Sequence, residues 1–160
     1  MLDFRPDTAT EPVGFRPPGR RSSLNNPLRL KSIHHVELWV GNAKQAAYYY
    51  RHAFGFAQFA YAGLETGRRD ATSYALQQGK ARLVLTTPLG PDDPINDHIR
   101  LHGDGVRDIA FHVDDADAAF HEAVARGAQP VSAPESRTDT NGTIRHAAIA
   151  TYGHTIHSFI

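Results

Sequence analysis

Cysteine is absent from all 160 residues, which excludes a disulfide framework and any thiolate nucleophile or thiolate metal ligand. An excess of either charge is missing too. Lys plus Arg number 17 against 17 for Asp plus Glu, and the ten histidines are scattered, so neither a nucleic-acid stripe nor a membrane-surface patch is implied. No apolar run approaches the length of a bilayer span, and the opening residues lack a charged-then-apolar leader. The expectation is a soluble, cytoplasmic chain with one ordinary domain core and no nucleic-acid or membrane partner.

What is present is a repeat. Val36, Leu38 and Val40 in Ile33-His34-His35-Val36-Glu37-Leu38-Trp39-Val40 return seventy-three positions later as Ile109, Phe111 and Val113. Each extended segment runs into an alanine-rich stretch, 43–53 and then 116–126, closed by Gly55 and Gly127. Two copies of one supersecondary unit follow from this. Alternation predicts a first strand over 32–40, and helical spacing places Ala46, Ala47, Tyr50 and Phe54 on the side that covers it. Extended runs at 56–61, 71–77 and 82–87 complete the first unit, with turns at 63–69 and 78–80. The second unit repeats the order with strands at 106–113, 130–133, 144–150 and 155–160 and turns at Asn141-Gly142 and Tyr152-Gly153. Residues 94–102 read as a linking helix that ends at Gly103.

The expected fold class is therefore α+β, with two tandem βαβββ modules forming a half-open barrel around a cleft. Module one covers 32–89, a linker 90–104 and module two 105–160, within a domain of 31–160. Residues 1–30 hold five of the ten prolines, with Ser22-Ser23 and Asn25-Asn26 and few apolar residues, and they read as a disordered tail. Phe-Arg-Pro occurs twice there, at 4–6 and 15–17, and is read as chance in a biased segment.

Paired modules of this order resemble the vicinal oxygen chelate superfamily of glyoxalases, extradiol dioxygenases and antibiotic-binding proteins. The local strings are more specific. Trp39-Val40-Gly41-Asn42-Ala43-Lys44-Gln45-Ala46-Ala47, Tyr49 with Phe54-Gly55-Phe56, Gly63-Leu64-Glu65-Thr66-Gly67-Arg68, His102-Gly103-Asp104-Gly105-Val106, Asp108-Ile109-Ala110-Phe111 and Ala150-Thr151-Tyr152-Gly153 resemble the amino-terminal half of the 4-hydroxyphenylpyruvate dioxygenase family. Hydroxymandelate synthases share these strings. The resemblance implies a two-domain, iron(II)-dependent enzyme of tyrosine catabolism that converts 4-hydroxyphenylpyruvate and oxygen to homogentisate and carbon dioxide. It also implies that the iron ligands, two histidines and a glutamate, belong to a carboxy-terminal domain absent from this chain. No catalytic, cofactor-binding or metal residue is carried over, and the 160-residue chain alone is expected to be inactive. The implied partners are that catalytic domain and further copies of the protein.

The repeat also says where a metal in this half would sit. The superfamily's metal-binding members use the first and last strands of each unit, and the seventy-three-residue offset pairs His35 with Asp108 and Val84 with His157. His35, Asp108 and His157 are a donor set suited to non-haem iron(II), on a face expected to include Glu37 and His112. The plainer reading is a structural polar network. A free-standing, dimeric module binding a small ligand through Glu37, Trp39 and Arg82 is the third alternative.

Other chemistry is thinner. Gly103-Asp104-Gly105 reads as a turn, since a nucleotide loop needs a further glycine and a helix. Ser73 and Ser158 lack the context of a nucleophile elbow. Tyr48-Tyr49-Tyr50 reads as an amphipathic seam with one ring or two in the core. Asp114-Asp115 reads as a helix cap.

Overall fold

The computed structural model describes residues 26–139 and 142–160. Its elements follow in the order β1 (Leu30–Trp39), α1 (Ala43–Phe54), β2 (Ala57–Ala62), a 3-10 turn (Leu64–Thr66), β3 (Ala71–Gln78), β4 (Ala81–Pro88), α2 (Pro94–His102), β5 (Gly105–Val113), α3 (Ala116–Ala125), β6 (Pro130–Asp139), β7 (Gly142–Ala150) and β8 (Ile156–Phe159). The eight strands form one mixed, open sheet in the order β2-β3-β4-β1-β5-β8-β7-β6. The α+β expectation of two βαβββ modules holds.

Local chemistry sets the helix limits. Asn42 caps α1 by accepting from the Gln45 amide at 3.0 Å, and Gly55 ends it at φ 75°, where a β-carbon would be strained. Asp93 and then Pro94 open α2. Asp115 caps α3 through the Ala118 amide at 3.0 Å, while its neighbour Asp114 pairs with Lys31.

The two modules are related by an approximate two-fold axis, legible in the strand register. β1 and β5 run antiparallel, and Val36 pairs with Ile109, its own counterpart in the repeat. The flanking pairs His35 with Ala110 and Glu37 with Asp108 exchange with one another under the same operation. Each module has its own core beneath its own helix. Leu76, Leu85, Val40 and Ala47 form the first, and Phe159, Phe120, Val113 and Ala147 the second.

Three details depart from the sequence reading. The residues assigned to a tail through position 30 include an ordered turn from Asn26, whose side chain brackets the Leu30 backbone at 2.9 and 3.0 Å. Leu28 and Leu30 then pack on the second core, and apolar contact there offsets the ordering entropy. Residues 1–25, with both Phe-Arg-Pro triplets, lie outside the described residues, as does Asn141 of the expected turn. β6 runs to Asp139 rather than 133, because it is the edge of the sheet and tolerates Pro134 beside a register shift between Ser132 and Glu135. Phe54 is 53% exposed rather than covering the strand, and it contacts the Tyr49 ring.

Candidate functional site

A helix covers one face of each half-sheet, so the opposite face is where a site would form. An uncovered flat sheet would leave that face wet. Instead Thr86 and Ser158 are 1% exposed and Asp108 5%, so the sheet curls and the side chains of the helix-free face enclose one another. Glu37 and Asp108 stand opposite each other across the central β1–β5 pair.

Each carboxylate anchors its own network. On the β1 side the Arg68 guanidinium donates to the Ser73 hydroxyl at 2.9 Å, Ser73 and Thr86 share a bond of 2.8 Å, and Thr86 donates to Glu37 Oε1 at 2.6 Å. Arginine can only donate and an ionised carboxylate can only accept, so the chain of donors runs one way, from Arg68 through both hydroxyls to Glu37. On the β5 side Asp108 accepts from the Ser158 amide at 3.0 Å and from its hydroxyl at 2.5 Å. The Ser158 hydroxyl is then left to accept from His146 Nε2 at 3.2 Å. Here serine stands between histidine and aspartate. A nucleophilic triad needs histidine in the middle to take the serine proton, and Ser158 gives its proton to Asp108 instead.

Burial sets the charges of this face. It pushes the Glu37 carboxyl up, against the opposing pull of the Thr86 bond and with a further push from Asp108. It pushes Asp108 up as well, against its two bonds from Ser158. His35 is lowered to about 4 by burial, then by His34 and Arg82. At neutral pH it is an uncharged imidazole, and its Nδ1 lies 2.8 Å from Nδ1 of His34.

The candidate triad of His35, Asp108 and His157 does not assemble. His35 and Asp108 are equivalent under the two-fold, as the repeat indicated. His157 is not on their face. Its Nδ1 meets the Ile109 carbonyl at 3.1 Å and its ring lies 4.9 Å from Phe111, on the helix-covered side. The cause is one extra residue in the second copy. Leu38 pairs with Leu85 while its equivalent Phe111 pairs with Phe159, so by the last strand the offset has grown to seventy-four and Val84 corresponds to Ser158. A shift of one residue moves every side chain of a strand to the other face. The four positions are therefore His35, Val84, Asp108 and Ser158, and among the described residues no cluster of three or more His, Asp or Glu is placed to hold a metal. An iron site does not fit a valine, a serine and a carboxylate already engaged through both oxygens.

Sequence reasoning missed Arg68, Ser73, Thr86 and His146 as partners of this face. Alternation along β3 and β4 would have placed Ser73 and Thr86 with Glu37. Arg68 lies in a turn and carried no such signal.

The residues 32–156 match the model of the family described as Glyoxalase/Bleomycin resistance protein/Dioxygenase superfamily. The chain belongs to this superfamily. Within it, the chain is 45% identical over 133 residues to 4-hydroxyphenylpyruvate dioxygenase of Xenopus tropicalis, covering 82% of this chain and 34% of the relative. It is 46% identical over 144 residues to the Neurospora crassa protein of the same name, covering 79% and 35%. Among solved structures, an S221M V223F Y359A mutant of 4-hydroxymandelate synthase from Streptomyces coelicolor superposes with a TM-score of 0.78 at 31% identity, over 82% of this chain and 38% of that one. The chain thus spans about a third of the length of the curated relatives it matches. Among the described residues no helix is long and apolar enough to cross a membrane.

Proposed function

We propose that this chain is the amino-terminal, non-catalytic domain of a cytoplasmic, iron(II)-dependent 4-hydroxyphenylpyruvate dioxygenase. The whole enzyme would convert 4-hydroxyphenylpyruvate and oxygen to homogentisate and carbon dioxide in tyrosine catabolism. The observation that carries this reading is the identity of 45 to 46% to dioxygenases of which the chain covers only about a third. Homogentisate is preferred to hydroxymandelate as product because identity to the synthase is lower, 31%.

The geometry supports a scaffolding role for this half. Its central acids are bonded by their own neighbours, and iron belongs to the carboxy-terminal domain. The chain's work is to pack on that domain and contribute to contacts between subunits. Tyr48, Tyr49 and Phe54, each more than half exposed on α1, offer an aromatic surface for such packing.

The test is the intact mass of the polypeptide in its source cells, followed by product analysis of the purified enzyme with 4-hydroxyphenylpyruvate. A mass more than twice that of these 160 residues, together with iron-dependent release of homogentisate, is the expected result. A native product ending at Ile160, or release of 4-hydroxymandelate, sinks the assignment.

A further inference from the structure

Beyond the central acids, the helix-free face opens at one end into a cleft of about 600 Å³, within the range of small-molecule sites. Ser32 and His34 reach it from β1, Lys80 and Arg82 from the β3–β4 hairpin, and His112 from β5. Ile160 closes its wall, and among the described residues no Asp or Glu side chain lines it. Among the described residues Arg82 donates only to the Gln77 amide oxygen, at 3.3 Å, and neither Arg82 nor Lys80 has an acidic partner. Unpaired cations gathered around a concavity raise its local potential, because low-dielectric walls keep their fields from being fully screened.

The charge of Arg82 also reaches His34. The His34 imidazole is lowered by burial, then by the charges of Arg82 and His112. Asp114, which feels His112, is already paired with Lys31. His34 therefore faces His35 on its own strand, His112 across β5 and Arg82 on β4, with no carboxylate among them to neutralise the group.

We propose that this cleft binds a phosphate-bearing small molecule, whose phosphoryl oxygens are held by Arg82, Lys80, His34 and His112. A planar carboxylate is best met by one guanidinium fork, whereas these donors arrive from three strands and from several directions, which suits a tetrahedral oxyanion. The volume exceeds what a phosphate alone fills, and Ile33, 57% exposed at the rim, gives the organic remainder an apolar wall. The proposal does not rest on the dioxygenase reading, since pyrophosphate binding is read apart from the native mass and the product.

The test is isothermal titration of the polypeptide, at the length the cells make, with inorganic pyrophosphate at low salt and neutral pH. Saturable one-to-one binding is expected, weakened about tenfold or more in Lys80→Ala/Arg82→Ala, a loss of at least about 1.4 kcal/mol. An Arg51→Ala/Arg100→Ala control removes the same charge elsewhere and should bind as the parent does. The anion also favours the imidazolium of His34, so titrations in buffers of different ionisation enthalpy should reveal proton uptake that His34→Asn diminishes. Absence of saturable heat, or equal weakening in both double variants, would overturn the site. Citrate binding as tightly as pyrophosphate would overturn the phosphate assignment.

Discussion

Glu37 illustrates how one buried group sets a pH dependence. Its carboxyl is pushed up by burial, so the folded state disfavours the ionised form relative to the unfolded chain, where the value is 4.5. Below neutral pH the folded protein takes this proton more readily, and the group's contribution to stability grows as pH falls toward 4.5. Glu37→Gln keeps an oxygen for Thr86 and removes the buried charge. It should raise the unfolding free energy at pH 7, with the gain shrinking toward pH 4.5, as urea titrations across that range would record. A variant less stable at pH 7 would show that the Arg68–Ser73–Thr86 chain outweighs the burial cost. His35 acts with the opposite sign. Its folded value is about 4 against 6.5 unfolded, so the unfolded chain alone gains a proton between those limits and stability falls as pH drops through them. His35→Gln should flatten that loss, by at most about 3 kcal/mol at pH 4, and leave the stability difference between variant and parent constant above 6.5. An unchanged acid slope in the variant would refute the assignment.

At the scale of elements, α3 depends on its ends and on one side-chain fork. Asp115 accepts the Ala118 amide, and Arg145 on β7 grips both oxygens of Asp117 at 2.6 Å. Asp115→Ala should lower stability by about 1 kcal/mol in thermal unfolding, whereas Asp117→Asn, at an exposed pair, should lower it by less. The reverse ranking would mean that the tie to β7, not the cap, holds the helix. This cap was legible in the sequence because it depends on residues three apart. The strands of both modules were legible for a related reason, since alternation and turn residues are local. What could not be read was the consequence of one added residue between β5 and β8. Local pattern marks both strands correctly but cannot say which face His157 takes, because that is fixed by pairing with residues some fifty positions away. β6 was likewise cut short by Pro134 and a polar run, which mean a strand's end in the middle of a sheet but are tolerated at its edge.

The whole molecule poses the question of whether two modules with two cores make one cooperative body. Separate helices and separate clusters argue for independent halves. The sheet argues otherwise. β1 pairs with β4 of its own module and along most of its length with β5 of the other, and Leu28 and Leu30, at the entrance to the first module, pack on the second core. Opening one half would thus strip the central strand of the other. Phe159→Ala removes the largest fully buried side chain, wholly within the second core, and should destabilise by about 3–5 kcal/mol. Trp39, the only tryptophan, lies at the end of β1 with Arg107 of β5 4.6 Å from its ring, and its fluorescence reports the opening of the β1–β5 seam. If the halves are one unit, Phe159→Ala shifts the Trp39 transition as far as the far-UV circular dichroism transition, and the two curves coincide. If the halves are independent, the dichroism curve splits into two transitions and no longer coincides with that of Trp39. Coincidence is expected, because the β1–β5 pair on the two-fold axis belongs equally to both modules and neither can lose it alone.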